Sequence, residues 1–235
     1  MKKLLLVIFL FSSFTSVAQY KNRESSQMYA GLGYSLVFFT NSDVSSIYPT
    51  IDLDRSGLLS EVNGFYGIKF NNYLAVEFTP SFLFARNTQR ADGNWYTQNN
   101  QHLWYIPQDA SLFALTINLK AKVFPFGNNQ QSLLKDFYIG TGGGMVYIKE
   151  QARNYIYSDS SYSMNYLRVQ DDKNDVWAPN FTLSLGISSA SNFAYGFDIT
   201  YRVVPMPIKR NTPLSSSNAS NYNSINLSAR VLFNM

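Results

Sequence analysis

His102 is the one histidine of a 235-residue chain. With Asp109 and Ser111 close behind it, it invites a nucleophile–base–acid reading. A single His removes any multi-histidine metal centre. Zero cysteines remove disulfides, thiolate catalysis and thiolate-bound metals. Asp171, Asp172 and Asp175 offer the oxygen ligands a divalent cation takes, but they lie in a polar stretch better read as a solvated loop. Gly140-Thr141-Gly142-Gly143-Gly144 has the composition of a phosphate loop without the helix N-terminus that such a loop needs. Inward glycines that make room for large neighbours explain it better. No catalytic residue, metal or cofactor is expected.

The regularly spaced charges are more informative. Glu61, Glu77 and Asp198, with Lys69, Lys120, Lys122, Arg202 and Arg230, fall on the polar side of alternating segments. If that side is enclosed, they must pair. Glu77 is then expected near Lys120 or Lys122, and Asp198 near Arg230. Glu61 and Arg202 would meet only across a closed lumen. Trp95, Tyr96 and Trp104 lie in a polar connection, where they would bind a partner or glycan or, equally, pack that connection onto itself.

Strands must position these residues. Period-two alternation recurs over Tyr29–Phe39, Leu59–Phe70, Tyr73–Phe84, Ser111–Phe124, Asp136–Ile148, Trp177–Ser188, Phe193–Val204 and Asn223–Met235. No segment carries a capped helical repeat. The connections alternate in length. Short ones fall near Asn71, Asn128 and Ser191. Long polar ones contain Asp52, Trp95, Asp159 and Ser216, including Asn87–Gln108 and Gln151–Asp175. This asymmetry puts all long connections at one end of an up-and-down sheet.

Composition decides the surroundings. Hydrophobic residues make up 46%, aromatics 16% and charged residues 14%, against roughly 25% charged in an average soluble domain. Disorder is excluded. A net charge of +4 with no Lys/Arg run gives no reason to expect nucleic acid. One face of each segment is bulky and apolar, and the other is small or polar. Small residues inside and bulky ones outside suit a narrow barrel in lipid, where closed barrels satisfy every backbone hydrogen bond. Aromatics near strand ends, among them Phe38, Phe70, Tyr73, Phe84, Phe124 and Trp177, are expected to form interfacial girdles. The fold class predicted is all-β, an eight-stranded antiparallel up-and-down transmembrane β-barrel.

The N-terminus carries an address. Lys2 and Lys3 precede the apolar run Leu4–Phe11, and Ser16-Val17-Ala18 has the small residues of a signal-peptidase site. The predicted division is a signal peptide over residues 1–18 and a barrel domain over 19–235. The apolar run is too short for a membrane helix.

The leader, Gly31-x-Gly33-Tyr34, the hairpin Gly67-Ile68-Lys69-Phe70-Asn71-Asn72-Tyr73-Leu74, Leu119-Lys120-Ala121-Lys122-Val123-Phe124-Pro125 and the last strand together carry a resemblance. The chain resembles the small bacterial outer-membrane β-barrel proteins, of the porin-like or OmpX- and OmpA-transmembrane-domain type. The likeness covers essentially the whole chain after the leader. The family's last strand usually ends in an aromatic, whereas this one ends Phe233-Asn234-Met235. The family's lipid-A deacylases carry His-x-Ser, which His102-Leu103-Trp104 lacks. The resemblance implies the bacterial outer membrane, outer-membrane lipid and the barrel insertion machinery as partners, and an extracellular ligand through the long loops. The function expected is structural or surface-interacting, around a charge-paired lumen, rather than enzymatic. A narrow porin-like conduit for small solutes and an accessory barrel of a secretion machine are the alternatives, with a rim lipid-modifying enzyme behind them.

Overall fold

The computed structural model describes residues 26–52, 57–88, 91, 93–128, 134–158, 166–188, 193–207 and 211–235. The expected leader lies outside these residues, as do Asp159 and Ser191. In chain order the elements are β1 (Gln27–Phe39), α1 (Ser42–Ser45), β2 (Ile51–Asp52), β3 (Gly57–Leu58), β4 (Ser60–Lys69), β5 (Leu74–Asn87) and β6 (Asn94–Gln98). Then follow β7 (Gln101–Val123), β8 (Phe137–Tyr157), β9 (Tyr166–Ser188), β10 (Phe193–Val203), α2 (Ser215–Asn218) and β11 (Ser224–Asn234).

Hydrogen bonding runs β5-β4-β1-β11-β10-β9-β8-β7, and β7 pairs back to β5. Eight antiparallel strands therefore close a ring, with no sheet edge left within the wall. Alternation sets the faces. Leu32, Phe82, Leu183 and Phe197 point outward and are 51–65% exposed, while the inward Ser35, Thr116, Ser184 and Asn226 are 2% exposed or less. The outward belt is a lipid surface; in water it would be a very large apolar patch.

The short connections lie at the end of the barrel that holds Gln27 and Asn234. Asn71 Oδ1 accepts from the backbone N–H of Tyr73 at 2.8 Å and of Leu74 at 2.9 Å, which turns β4 into β5. Phe124, expected on the girdle, is instead 4% exposed and faces in. Its N–H bonds Tyr73 O at 2.7 Å as the chain leaves β7, which carries the ring across the mouth of the barrel. There Phe124 packs on Tyr138, with ring centroids 5.8 Å apart. Tyr29 and Phe65 complete this aromatic floor beside Leu232. Each lies over a glycine of the neighbouring strand: a Cβ on Gly67 would come within 2.3 Å of the Tyr29 ring, and one on Gly31 within 2.6 Å of the Phe65 ring.

At the other end the strands run on well past the predicted limits. β7 begins at Gln101, β8 continues to Tyr157 and β9 begins at Tyr166. Much of the stretch expected as loop is therefore sheet. The register shifts between Pro107 and Asp109, which reverses the faces of β7 beyond that point. The outward residues there no longer meet lipid, so the apolar alternation fades although backbone pairing persists. β6 adds to this extension as a hairpin with β7. Its two-residue turn is Asn99-Asn100, with φ of 49° and 62°. Asn tolerates this left-handed backbone, which matches strand twist in two-residue hairpins. β9 pairs with β10 only from Phe181 onward. Its outer half carries Asp171, Asp172, Lys173 and Asp175, charges that discourage pairing at an exposed edge.

The upper lumen is apolar. Val37, Leu83, Leu112, Val146 and Ile148 face inward and pack against Val44, Tyr48, Leu214 and Tyr222 from the α1 and α2 connections.

Candidate functional site

Between the aromatic floor and the apolar cap lies a belt of buried charge. Glu77 on β5 is fully buried. It pairs with Lys122 of the adjacent β7 and accepts from Arg230 Nη1 on β11 at 2.8 Å. It also accepts from the Tyr29 hydroxyl on β1 at 3.2 Å. Glu77 stands opposite Lys120 in the ladder but bonds diagonally to Lys122. Arg230 in turn places Nε 2.5 Å from Asp198 Oδ2 on the neighbouring β10. Asp198 also accepts from the Tyr138 hydroxyl at 3.1 Å and from Thr200 at 2.8 Å. Six strands thus meet in one network, Tyr138 standing on β8. Lys122 sits 4.5 Å above the Tyr138 ring, and Arg230 5.1 Å from the Phe65 ring, which ties the network to the floor. Lys69 lies lower, 4.5 Å over Phe124.

Above it, Glu61 of β4 and Arg202 of β10 form a bidentate pair, both bonds 2.7 Å long. Lys120 is 4% exposed. With Glu61, Asn118, Thr182 and Arg202 it lines a cavity of about 30 Å³. The space is about that of one or two waters. Glu61, Glu77 and Asp198 are each engaged by a cation, which ties strands together and leaves none of the three placed as a base for a substrate.

Glu150 closes the outer mouth. It continues the inward alternation of β8 above Val146 and Ile148 and is 1% exposed. The α2 connection wraps it: Ser215 Oγ donates at 2.8 Å and the Ser216 N–H at 2.6 Å. The Tyr48 hydroxyl, from the α1 connection, donates at 3.1 Å. Burial, and then the Glu150 charge, push the Tyr48 and Tyr222 phenols well above the usual tyrosine range. Sequence reasoning missed this latch. Following the even positions of β8 beyond Ile148 is the signal that finds it.

On the outer extension, Trp95 and Trp104 come together with ring centroids 5.1 Å apart, but Tyr96 is on the opposite face. Tyr96 is 1% exposed and packs with Leu103, Tyr105 and Ile156. Trp95 stacks on His102 at 4.6 Å. Asp109 is engaged instead by Arg86, through Nη2 at 3.0 Å. Seven strand residues separate His102 from Asp109, roughly 20 Å, so the two are not assembled with Ser111. Asp171 pairs with Arg153 at 2.9 Å. No cluster of three or more metal-ligating side chains occurs among the described residues.

The sequence model described as the outer membrane protein beta-barrel domain matches residues 7–233. Among solved structures, Neisserial surface protein A (NspA) is similar at 12% identity, over 89% of this chain and 99% of that chain, with a TM-score of 0.46. Ail, the attachment invasion locus protein of Yersinia pestis, solved with the heparin analogue sucrose octasulfate, is 12% identical over 88% of this chain and 97% of its own, at a TM-score of 0.43. OprG from Pseudomonas aeruginosa is 12% identical over 91% and 95%, at 0.37. No curated protein matches the sequence.

Proposed function

Because the chain belongs to the outer membrane protein β-barrel family and resides in the bacterial outer membrane, we propose that it is a closed, non-conducting barrel that acts through its extracellular surface. One observation carries this reading: Glu77 gathers Lys122, Arg230 and Tyr29 from three other strands at the centre of the lumen. An eight-stranded barrel has interior room for little more than its own side chains, and here buried ion pairs occupy it. The floor below and the Glu150-anchored cap above support the same reading. The role is structural or surface-interacting rather than enzymatic. Residues 1–18 direct export and are then removed, and residues 19–235 pass to the barrel insertion machinery.

The second reading is a narrow porin-like conduit, which the small polar cavity beside Lys120 favours. Swelling of liposomes that contain the refolded protein separates the two. A closed barrel gives the rate of empty liposomes for glycerol and small sugars. Solute-size-dependent swelling above that rate overturns the proposal.

A further inference from the structure

Register places the outward side chains of β7, β8 and β9 in rows that change character with height. The lowest row is Leu115, Tyr147 and Trp177, part of the lipid-facing belt, with Tyr147 and Trp177 5.2 Å apart. Lys149 and Asp175 stand in the next row, and Gln151 and Lys173 in the one above. Then comes a row of charge running Asp109, Arg153 and Asp171, with Arg86 of β5 joined to Asp109. At the top is an aromatic row: Trp95, Trp104, Tyr157 and Tyr166 are successive register partners across four strands. Tyr157 and Tyr166 lie 5.9 Å apart. Gly93 backs this row, since a Cβ there would come within 2.3 Å of the Trp104 indole nitrogen, so only glycine leaves room for the ring. An open groove of about 580 Å³ crosses the charged rows, bordered by Phe84, Arg86, Asp109, Arg153, Asp171 and Lys173.

We propose that this outward wall binds the sugar headgroup of the outer-leaflet glycolipid. The wall is continuous with the lipid-facing surface and looks sideways, so what stands against it is what stands above the neighbouring acyl chains. The order of chemistry fits that occupant. Lys149, with Asp175 beside it, and Lys173 lie just above the belt, where headgroup phosphates would meet two cations against one carboxylate. Asp109 and Asp171 are each held by an arginine, so the next row offers acceptors and donors side by side with little net charge. That suits a hydroxyl-rich ligand rather than a polyanion. Above it, partly exposed tryptophan and tyrosine rings offer apolar surface to the C–H faces of sugar rings. Ten residues of β8 separate Tyr147 from Tyr157, roughly 33 Å of strand, and a tilt of about 40° leaves roughly 25 Å of height. An oligosaccharide of several sugars spans that distance. The inference deepens the surface-interaction reading and is independent of whether the lumen conducts.

The test uses the full barrel with Trp177→Phe, which leaves Trp95 and Trp104 as its tryptophans. It is reconstituted in phospholipid bilayers alone, with lipopolysaccharide carrying its core sugars, or with lipid A lacking them. Gel mobility checks folding, and iodide quenching of tryptophan fluorescence is the readout. The expected result is a several-fold loss of quenching with core-bearing glycolipid only. Lys149→Glu with Lys173→Glu leaves the rings in place and should raise the glycolipid needed several-fold. Equal quenching in all three bilayers overturns the proposal, as does equal protection by lipid A. Equal protection by released core oligosaccharide in solution assigns the wall to a soluble glycan and overturns it too. So does an unaltered response of the double lysine variant. Ion current recorded in the same bilayers reads the closed-lumen proposal separately.

Discussion

Glu61 and Arg202 meet across the barrel through two 2.7 Å hydrogen bonds, although β1 and β11 stand between their strands in the ring. Two oppositely charged side chains can close that span only if nothing wider than they are passes between them.

The pair gives the first prediction. Removing one member strands a buried charge and should cost about 3–5 kcal/mol of stability. Removing both, as Glu61→Gln with Arg202→Met, should cost less than the sum of the single changes. Urea unfolding from bilayers measures the cycle. Strict additivity would mean that water already solvates both groups.

The outward assignment of Ile117 gives the second. Ile117 is 40% exposed on the lipid face, and Thr182 is 5% exposed inside. Ile117→Arg should cost about 2–4 kcal/mol near the midplane, whereas Thr182→Ala should cost far less. Refolding yields and unfolding midpoints in bilayers compare them, and equal costs would contradict the faces.

The Glu150 latch gives the third. Glu150→Gln keeps the shape but removes the charge that the Ser215 hydroxyl and Ser216 amide hold. Charge-assisted bonds are worth roughly 1.5–3 kcal/mol each, and each 1.4 kcal/mol is about tenfold in an equilibrium. Amide exchange at Ser215 and Ser216 should therefore rise by about tenfold or more, with the strand amides unchanged. Unchanged exchange at both serines would show that the cap is held by packing alone.

The fourth concerns alkaline pH. The folded cap keeps the Tyr48 and Tyr222 protons above the ordinary range, whereas an open cap releases them near about 10. The closed cap is therefore fully favoured below about pH 10 and loses stability as pH rises beyond it. In a tyrosinate absorbance titration, Tyr222→Phe should remove one phenol from the late step. If the phenol is lost from the step near pH 10, the cap does not enclose Tyr222.

The barrel and its faces were legible because lipid and lumen impose opposite chemistry on alternate residues, as Phe197 and Asp198 show. The charges likewise announced themselves by falling on the small-residue side. The partner Glu77 takes was not fixed, because Lys120 lies opposite and Lys122 diagonal, and both are long enough to reach. The outer extension was illegible for a physical reason: above the membrane both faces of β8 and β9 can be polar, so Asp171 and Asp172 read as loop although backbone pairing holds them. Asn99-Asn100 between Trp95-Tyr96 and Leu103-Trp104 was the overlooked hairpin signal. The cap escaped because Glu150 finds its partners some 65 residues away at Ser215, a distance no local pattern encodes.

The central claim is that paired charges close the lumen, and planar-bilayer current at low and high salt tests it most directly. The wild-type protein should insert without steady current, while Glu77→Ala with Arg230→Ala, which empties the centre of the network, should admit small ions. A steady, salt-dependent current through the wild type, unchanged by the double substitution, would contradict the account.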